Sequence, residues 1–118
     1  MNRFNYFQLI AYFYNGVFDQ IKQGSNFEMA VNQSEDDSWL YPESDNRLSN
    51  LVVFIHFLNI KYATHKSFTA KQIEVYKTQL ELIKDDDLSV WLAPEELEHF
   101  HETVFHLNYE IETFLQKQ

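Results

Sequence analysis

Histidine and glutamate are concentrated near the end of the chain, where their spacing comes closest to that of a metal-binding or catalytic motif. The residues concerned are His99, His101, His106, Glu95, Glu96, Glu98 and Glu102. Two overlapping Glu-x-x-His pairs occur among them. In carboxylate-bridged dimetal bundles, residues with this spacing hold two metal ions between the helices. A metal-dependent enzyme is therefore one function to be tested against the rest of the sequence.

The distribution of these residues argues against a metal centre. A dimetal bundle takes Glu-x-x-His from each of two helices and one inward glutamate from each of the others. Here both pairs, Glu96 with His99 and Glu98 with His101, lie on one helix and point in different directions. The histidines at 101 and 106 are also one residue too far apart for the zinc-protease motif. We predict no metal and no cofactor, and we expect Glu102 and His106 to form an ordinary helical contact.

The remaining sequence contains no recognisable catalytic motif. His56 lies inside the apolar run 51–60 (LVVFIHFLNI), where a hydrogen-bonded core histidine is the expected role. A general-acid role would require a carboxylate beside it. The chain has no glycine-rich phosphate loop, nucleophile elbow or paired cysteines. The sequence predicts a protein that is not an enzyme.

The composition predicts a single all-α domain. The chain has 118 residues, 45% of them hydrophobic, which is enough to build a core. Only two glycines and two prolines are present, whereas an all-β fold would need many turns. The lack of cysteine excludes a disulfide scaffold and is compatible with a cytoplasmic location, which we expect.

Apolar periodicity and capping residues predict an antiparallel bundle of about four helices. The predicted ranges are 3–23, 45–66, 69–84 and 94–115. The second contains the run 51–60 and should be the central core helix; a buried strand is the alternative, but the pattern is too long for one. Thr69 and Gln72 have the spacing of a capping box. Pro94 suits the first position of a helix.

The first helix carries more aromatic residues than one face can bury. The residues expected on its buried stripe are Phe7, Ile10, Phe13 or Tyr14, Val17, Phe18 and Ile21. The aromatics expected to remain available for a subunit interface are Phe4, Tyr6, Tyr12 and Phe13. A homo-oligomeric or scaffold bundle is therefore an alternative function.

Two connections complete the predicted fold. Residues 25–44 form a long acidic loop between the first two helices, and such long loops are usually functional or flexible. Residues 85–92 form a shorter connector that contains one helical turn at 88–92. No apolar run approaches the roughly 18 residues of a membrane-spanning helix, and we expect no membrane interaction.

Charge is segregated along the chain. The net charge is −9, which disfavours a nucleic-acid partner because phosphate binding depends on cationic contacts. Fifteen of the 18 acidic residues lie either between Lys22 and Arg47 or between Lys84 and Lys117, and neither interval contains Lys or Arg. Acidic runs often only solvate a surface. Concentrated acidic surfaces can also steer a basic protein partner.

We predict that these acidic segments bind a basic protein. The predicted binding residues are Glu35, Asp36, Asp37, Trp39, Tyr41, Asp85, Asp86, Asp87, Glu95, Glu98 and Glu102. The acidic residues would supply the electrostatic field. The two aromatics would anchor the interface, since Trp and Tyr are favoured there. The alternative for the aromatics is to cover one end of the bundle.

In size, acidity and lack of cysteine, the chain is similar to some bacterial inhibitor and immunity proteins, which neutralise basic nucleases or other toxin domains. The similarity lies in these properties and not in a motif. It implies that the chain is an inhibitor whose acidic residues cover a basic surface of its partner.

Overall fold

The computed structural model describes residues 5–24 and 47–118, which form an all-α bundle. The helices are α1 (Tyr6–Lys22), α2 (Arg47–His65), α3 (Ala70–Ile83) and α4 (Pro94–Gln116). All four predicted helices are confirmed. The predicted starts at residues 3 and 45 lie outside the described residues, and the other ends agree with the predicted ones to within one residue. The predicted acidic loop 25–44 lies outside the described residues.

Helix α2 is the central element of the bundle. It packs against α1, α3 and α4, and every residue from 51 to 58 is buried. Eight consecutive buried positions cover the whole circumference of a helix, so α2 is enclosed on all sides along this stretch. The apolar run therefore forms a core helix, as predicted, and not a strand.

Side-chain caps explain where two of the helices begin. The Asn5 side chain accepts a hydrogen bond from the Gln8 backbone N–H at 3.1 Å and caps α1, which starts at residue 6. At α3 the predicted capping box is present. The Thr69 hydroxyl accepts from the Gln72 N–H at 3.0 Å, and the Gln72 side chain accepts from the Thr69 N–H at 2.9 Å.

The start of α4 combines a proline with an acidic side chain. Pro94 is the first helical residue, as predicted. The Glu96 carboxylate accepts a hydrogen bond from the Ala93 backbone N–H at 2.7 Å. Glu95 and Glu96 also lie in the first turn, where negative charge is favourable next to the positive end of the helix dipole.

The buried face of α1 differs from the predicted stripe. Tyr6, Phe13 and Val17 are buried, whereas Phe7 and Phe18 are exposed. The three buried residues follow one line along the helix. Phe7 and Phe18 lie about 100° around the helix from that line, because each residue advances by that angle. The prediction that Phe7 and Phe18 are core residues was wrong, and so was the prediction that Tyr6 is a surplus aromatic. Val17 is buried as predicted, and Phe13, which was both an alternative for the stripe and a surplus aromatic, is buried as well.

The connector between α3 and α4 contains a short 3-10 helix at Leu88–Val90, within the turn predicted there. The Asp87 carboxylate accepts a hydrogen bond from the Ser89 backbone N–H at 3.1 Å and caps this helix. Leu92, which follows it, is buried in the core. None of the helices in the described parts of the chain has the length and apolar character needed to cross a membrane.

Candidate protein-binding surface

Six of the predicted binding residues fall within the described residues, and all six are exposed. They are Asp85, Asp86, Asp87, Glu95, Glu98 and Glu102. The other five, Glu35, Asp36, Asp37, Trp39 and Tyr41, lie outside the described residues. The first group is placed on the connector before α4 and on the first half of that helix.

Two of these residues border a cleft between α3 and α4, which we call the α3–α4 cleft. Its volume is about 620 Å³. Its lining residues are Lys77, Leu80, Glu81, Ile83, Lys84, Asp86, Asp87, Leu88, Ser89, Leu97, Phe100, His101 and Val104. The buried residues Ile83 and Phe100 belong to this lining, so the cleft reaches the hydrophobic core.

Two more acidic residues border a second concave surface, which we call the outer face of α4. It has a volume of about 600 Å³ and is lined by Pro94, Leu97, Glu98, His101, Glu102 and Phe105. Leu97 and His101 line both concave regions, so the two form one continuous surface. Of the six exposed acids, Asp86, Asp87, Glu98 and Glu102 line this surface and Asp85 and Glu95 do not.

An exposed aromatic residue, Phe105, lies beside these acids. Its side chain is 77% exposed, and Tyr109, one turn further along α4, is 64% exposed. We did not predict either residue as a contact residue. Their exposure could have been inferred from the sequence. The buried residues Phe100, Leu107 and Ile111 define the inward face of α4, and neither Phe105 nor Tyr109 lies on that face. Exposed aromatics of this kind are preferred anchors of protein interfaces.

The α3 side of the cleft has the opposite charge. Lys77 and Lys84 line it together with Glu81, and the Lys84 ammonium forms an ion pair with the Glu81 carboxylate. This pair is solvent-exposed and contributes little to stability. The charges of Lys84 and Glu81 therefore offset each other. The other charged residues of the lining are Lys77 on α3 and the two aspartates of the connector.

The three histidines of α4 point in different directions. His99 faces α1, where a 2.6 Å hydrogen bond joins its Nδ1 to the Tyr6 hydroxyl. His101 and His106 are exposed. The i,i+4 partner of His106 is Glu110, with 3.4 Å between Nε2 and Oε1, so the predicted contact with Glu102 was wrong. Among residues 5–24 and 47–118, no group of three or more potential metal-ligating side chains is found.

His56 is a buried core residue, as predicted, and one of its ring nitrogens has a partner. Its Nδ1 lies 3.2 Å from the Tyr14 hydroxyl, whereas its buried Nε2 has no hydrogen-bond partner. Burial first, and then the nearby His99 ring, lower the pKa of His56 from 6.5 to about 4. A neutral imidazole is therefore the stable form near neutral pH.

The His56 and His99 rings connect three helices. They lie nearly parallel, at an interplanar angle of 10° with 6.3 Å between ring centroids. Each ring bonds to a tyrosine of α1, which holds α1, α2 and α4 together. Burial raises the pKa of Tyr6 to about 12, so its hydroxyl stays protonated at neutral pH. Among the described residues, the hydrogen-bond and ring contacts of His56 are with Tyr14 and His99, and neither supplies the carboxylate that an acid–base pair would need.

Four of the six described acids thus line the same continuous surface as Leu97 and the exposed ring of Phe105. Such an arrangement, with an apolar centre and a charged rim, is typical of protein interfaces. Comparisons with known protein families, with curated proteins and with solved structures found no match to this chain.

Proposed function

We propose that the protein is a small acidic protein-binding domain that neutralises a basic partner, in the manner of inhibitor and immunity proteins. The partner would be a toxin or nuclease domain with a basic surface, and the acids of the chain would occupy that surface. A cytoplasmic location and the absence of catalytic activity belong to the same proposal.

The observation that carries this proposal is the continuous surface formed by the α3–α4 cleft and the outer face of α4. Four predicted acids line it, and Phe105 lies among them. No Lys or Arg occurs between Lys84 and Lys117, so the α4 side has no formal positive charge of its own. A concentrated negative field of this kind raises the association rate with a basic protein by about 10- to 1,000-fold.

Reversing two charges on the outer face of α4 is expected to slow association with such a partner. The partner is first captured from the native cell with the wild-type protein. Association rates are then measured by stopped-flow fluorescence at several salt concentrations. For Glu98→Lys with Glu102→Lys, we expect the rate at low salt to fall by about 10-fold or more and its salt dependence to flatten.

A matched control separates a local effect from a change in overall charge. Asp19→Lys with Glu74→Lys changes the net charge by the same amount, but these exposed residues lie on α1 and α3. This variant should lose much less of the association rate. Equal losses in both variants would show that only net charge matters, and no loss in either would contradict electrostatic binding.

A second candidate function is a homo-oligomeric bundle, which the exposed aromatics of α1 favour. Phe7, Tyr12 and Phe18 are all exposed on this helix. A second copy of the chain would cover such residues and remove their apolar surface from water. These residues lie on a different helix from the acidic surface, so the two functions can be tested separately.

Light scattering across a wide concentration range tests the homo-oligomer. Under this second function, the mass should be a multiple of the 14.2 kDa of one chain and should fall to that value in Phe18→Gln. The matched control is Phe105→Gln on α4, which should leave the mass unchanged. A mass of one chain at every concentration would reject the homo-oligomer.

A further inference from the structure

The α3–α4 cleft has features that the proposed charge attraction alone does not require. Its walls contain apolar side chains from both helices, including Leu80 on α3 and Val104 on α4. Its floor reaches Ile83 and Phe100, which are almost completely buried. A purely electrostatic contact would need an acidic surface but no apolar cleft, so the cleft offers apolar contacts in addition to charge.

The charged groups around this cleft are unevenly distributed. Asp86 and Asp87 lie at the end of the cleft that the connector forms. On the α3 side, Lys84 is paired with Glu81, and the other cation of the lining is Lys77. The Asp87 carboxylate is already used as a cap, since it accepts hydrogen bonds from the Ser89 backbone and hydroxyl. Asp86 is exposed, and its carboxylate is the one best placed to receive a cation at this end.

We propose that the α3–α4 cleft binds a basic amphipathic helix of the partner. One bulky apolar side chain of that helix inserts between Leu80 and Val104, and a Lys or Arg about one turn away pairs with Asp86. This inference rests on the proposed function, because it assumes that the partner is a basic protein. It adds the secondary structure of the bound segment and the side chains that the cleft selects.

The shape of the cleft favours a helix as the occupant, and the carboxylate of Asp86 at one end favours a basic residue near that end. The cleft is bounded by two helices, and an amphipathic helix places apolar residues in such a groove at intervals of three and four positions. Residues separated by one helical turn lie on the same face, so one apolar and one basic side chain can reach the cleft and its acidic end together. The volume of about 620 Å³ is large enough for a bulky side chain.

Two synthetic peptides provide the test. Both are alanine-based helices of about 18 residues, long enough to form a helix in water, with several lysines on one side. One carries a central tryptophan and the other an alanine at that position, so their charges are identical. Binding is followed by amide chemical shifts of the ¹⁵N-labelled full chain in about 20 mM salt, where charge interactions are weakly screened.

We expect the tryptophan peptide to bind at least about 10-fold more tightly than the alanine peptide, because insertion removes a large apolar side chain from water. The shifts should be largest at Leu80, Ser89 and Val104. Val104→Phe partly fills the cleft and should abolish the preference for tryptophan. Its circular dichroism spectrum shows whether the variant remains folded.

A charge-matched pair of variants tests the predicted cation contact without altering the core. Asp86→Asn should weaken binding of the tryptophan peptide by about 3-fold, the scale of an exposed ion pair. Asp85→Asn removes the same charge from the neighbouring residue, which does not line the cleft, and should have less effect. This pair keeps the proposal testable if Val104→Phe does not fold.

The outcomes distinguish this inference from the proposed function. Equal binding of both peptides, with shifts confined to the outer face of α4, would overturn the helix-in-cleft inference and leave acidic protein binding in place. No binding of either peptide at low salt would also overturn the helix-in-cleft inference, whereas the proposed function is contradicted only if charge reversal at Glu98 and Glu102 leaves association with the captured partner unchanged. Tighter binding of the tryptophan peptide, lost in Val104→Phe, supports both.

Discussion

Replacing Phe57 with alanine is expected to lower the free energy of unfolding by about 3–5 kcal/mol, as measured by urea denaturation. Phe57 has no exposed surface and lies in the middle of α2, which packs against the other three helices that the structure describes. Its ring stacks on that of Phe54, with 5.9 Å between centroids. Alanine would remove this contact and leave a cavity that the surrounding helices can fill only in part.

This loss is large compared with the total stability of a small domain, which is about 5–15 kcal/mol. Phe105→Ala is the matched control, because it makes the same chemical change at a side chain that is 77% exposed. We expect that variant to change stability by less than about 0.5 kcal/mol. If the two variants have similar stability, α2 is not the core of the bundle and the fold described above is wrong.

The central position of α2 was predictable because most residues of its apolar run independently indicate burial. The apolar run is much longer than a buried strand, and few of its residues are polar, so errors about individual positions do not change the prediction. The helix starts at Thr69 and Pro94 were predictable for a different reason. Capping depends on residues close in sequence, and their spacing alone determines the hydrogen bonds.

The buried face of α1 was harder to predict because aromatic residues occur all around that helix. With Tyr6, Phe7, Tyr12, Phe13 and Phe18 all present, more than one apolar stripe fits the sequence. The line that packs is decided by contacts with α2 and α4, such as the bond between the Tyr6 hydroxyl and His99. Contacts between residues this far apart in the chain are not encoded in local periodicity.

The candidate site shows the same limit. Charge segregation led to Asp86, Asp87, Glu98 and Glu102 as binding residues, because composition along the chain requires no tertiary information. The α3–α4 cleft itself could not be predicted, since it depends on how far apart two helices pack. Phe105 could have been identified, because it does not lie on the inward face of α4 and an aromatic residue outside that face is expected to be exposed.

Acid should destabilise the fold through His56 at a pH where most carboxylates remain charged. The usual pKa of this group is 6.5, and burial first and then the nearby His99 lower it to about 4 in the folded chain. The unfolded chain therefore binds a proton between these values while the folded chain does not. The stabilising effect of a neutral His56 is present above pH 6.5 and is lost as pH falls towards 4.

From these two pKa values we expect the free energy of unfolding to fall by about 2 kcal/mol between pH 7.5 and pH 5. The structural reason is that a proton added to His56 would either lie on the buried Nε2, which has no partner, or compete with the Tyr14 contact at Nδ1. Among the described residues, His99 and Tyr14 are the titratable groups in contact with this ring, and neither is a carboxylate.

Urea denaturation of His56→Gln at pH 7.5, 6 and 5 checks this expectation. Glutamine does not titrate, so this variant should lose most of the pH dependence while retaining a group that can hydrogen-bond Tyr14. His101→Gln is the control, because His101 is exposed and its replacement should leave the wild-type pH dependence unchanged. A full 2 kcal/mol fall in His56→Gln would show that other groups cause the acid sensitivity, since the substituted position can no longer bind a proton.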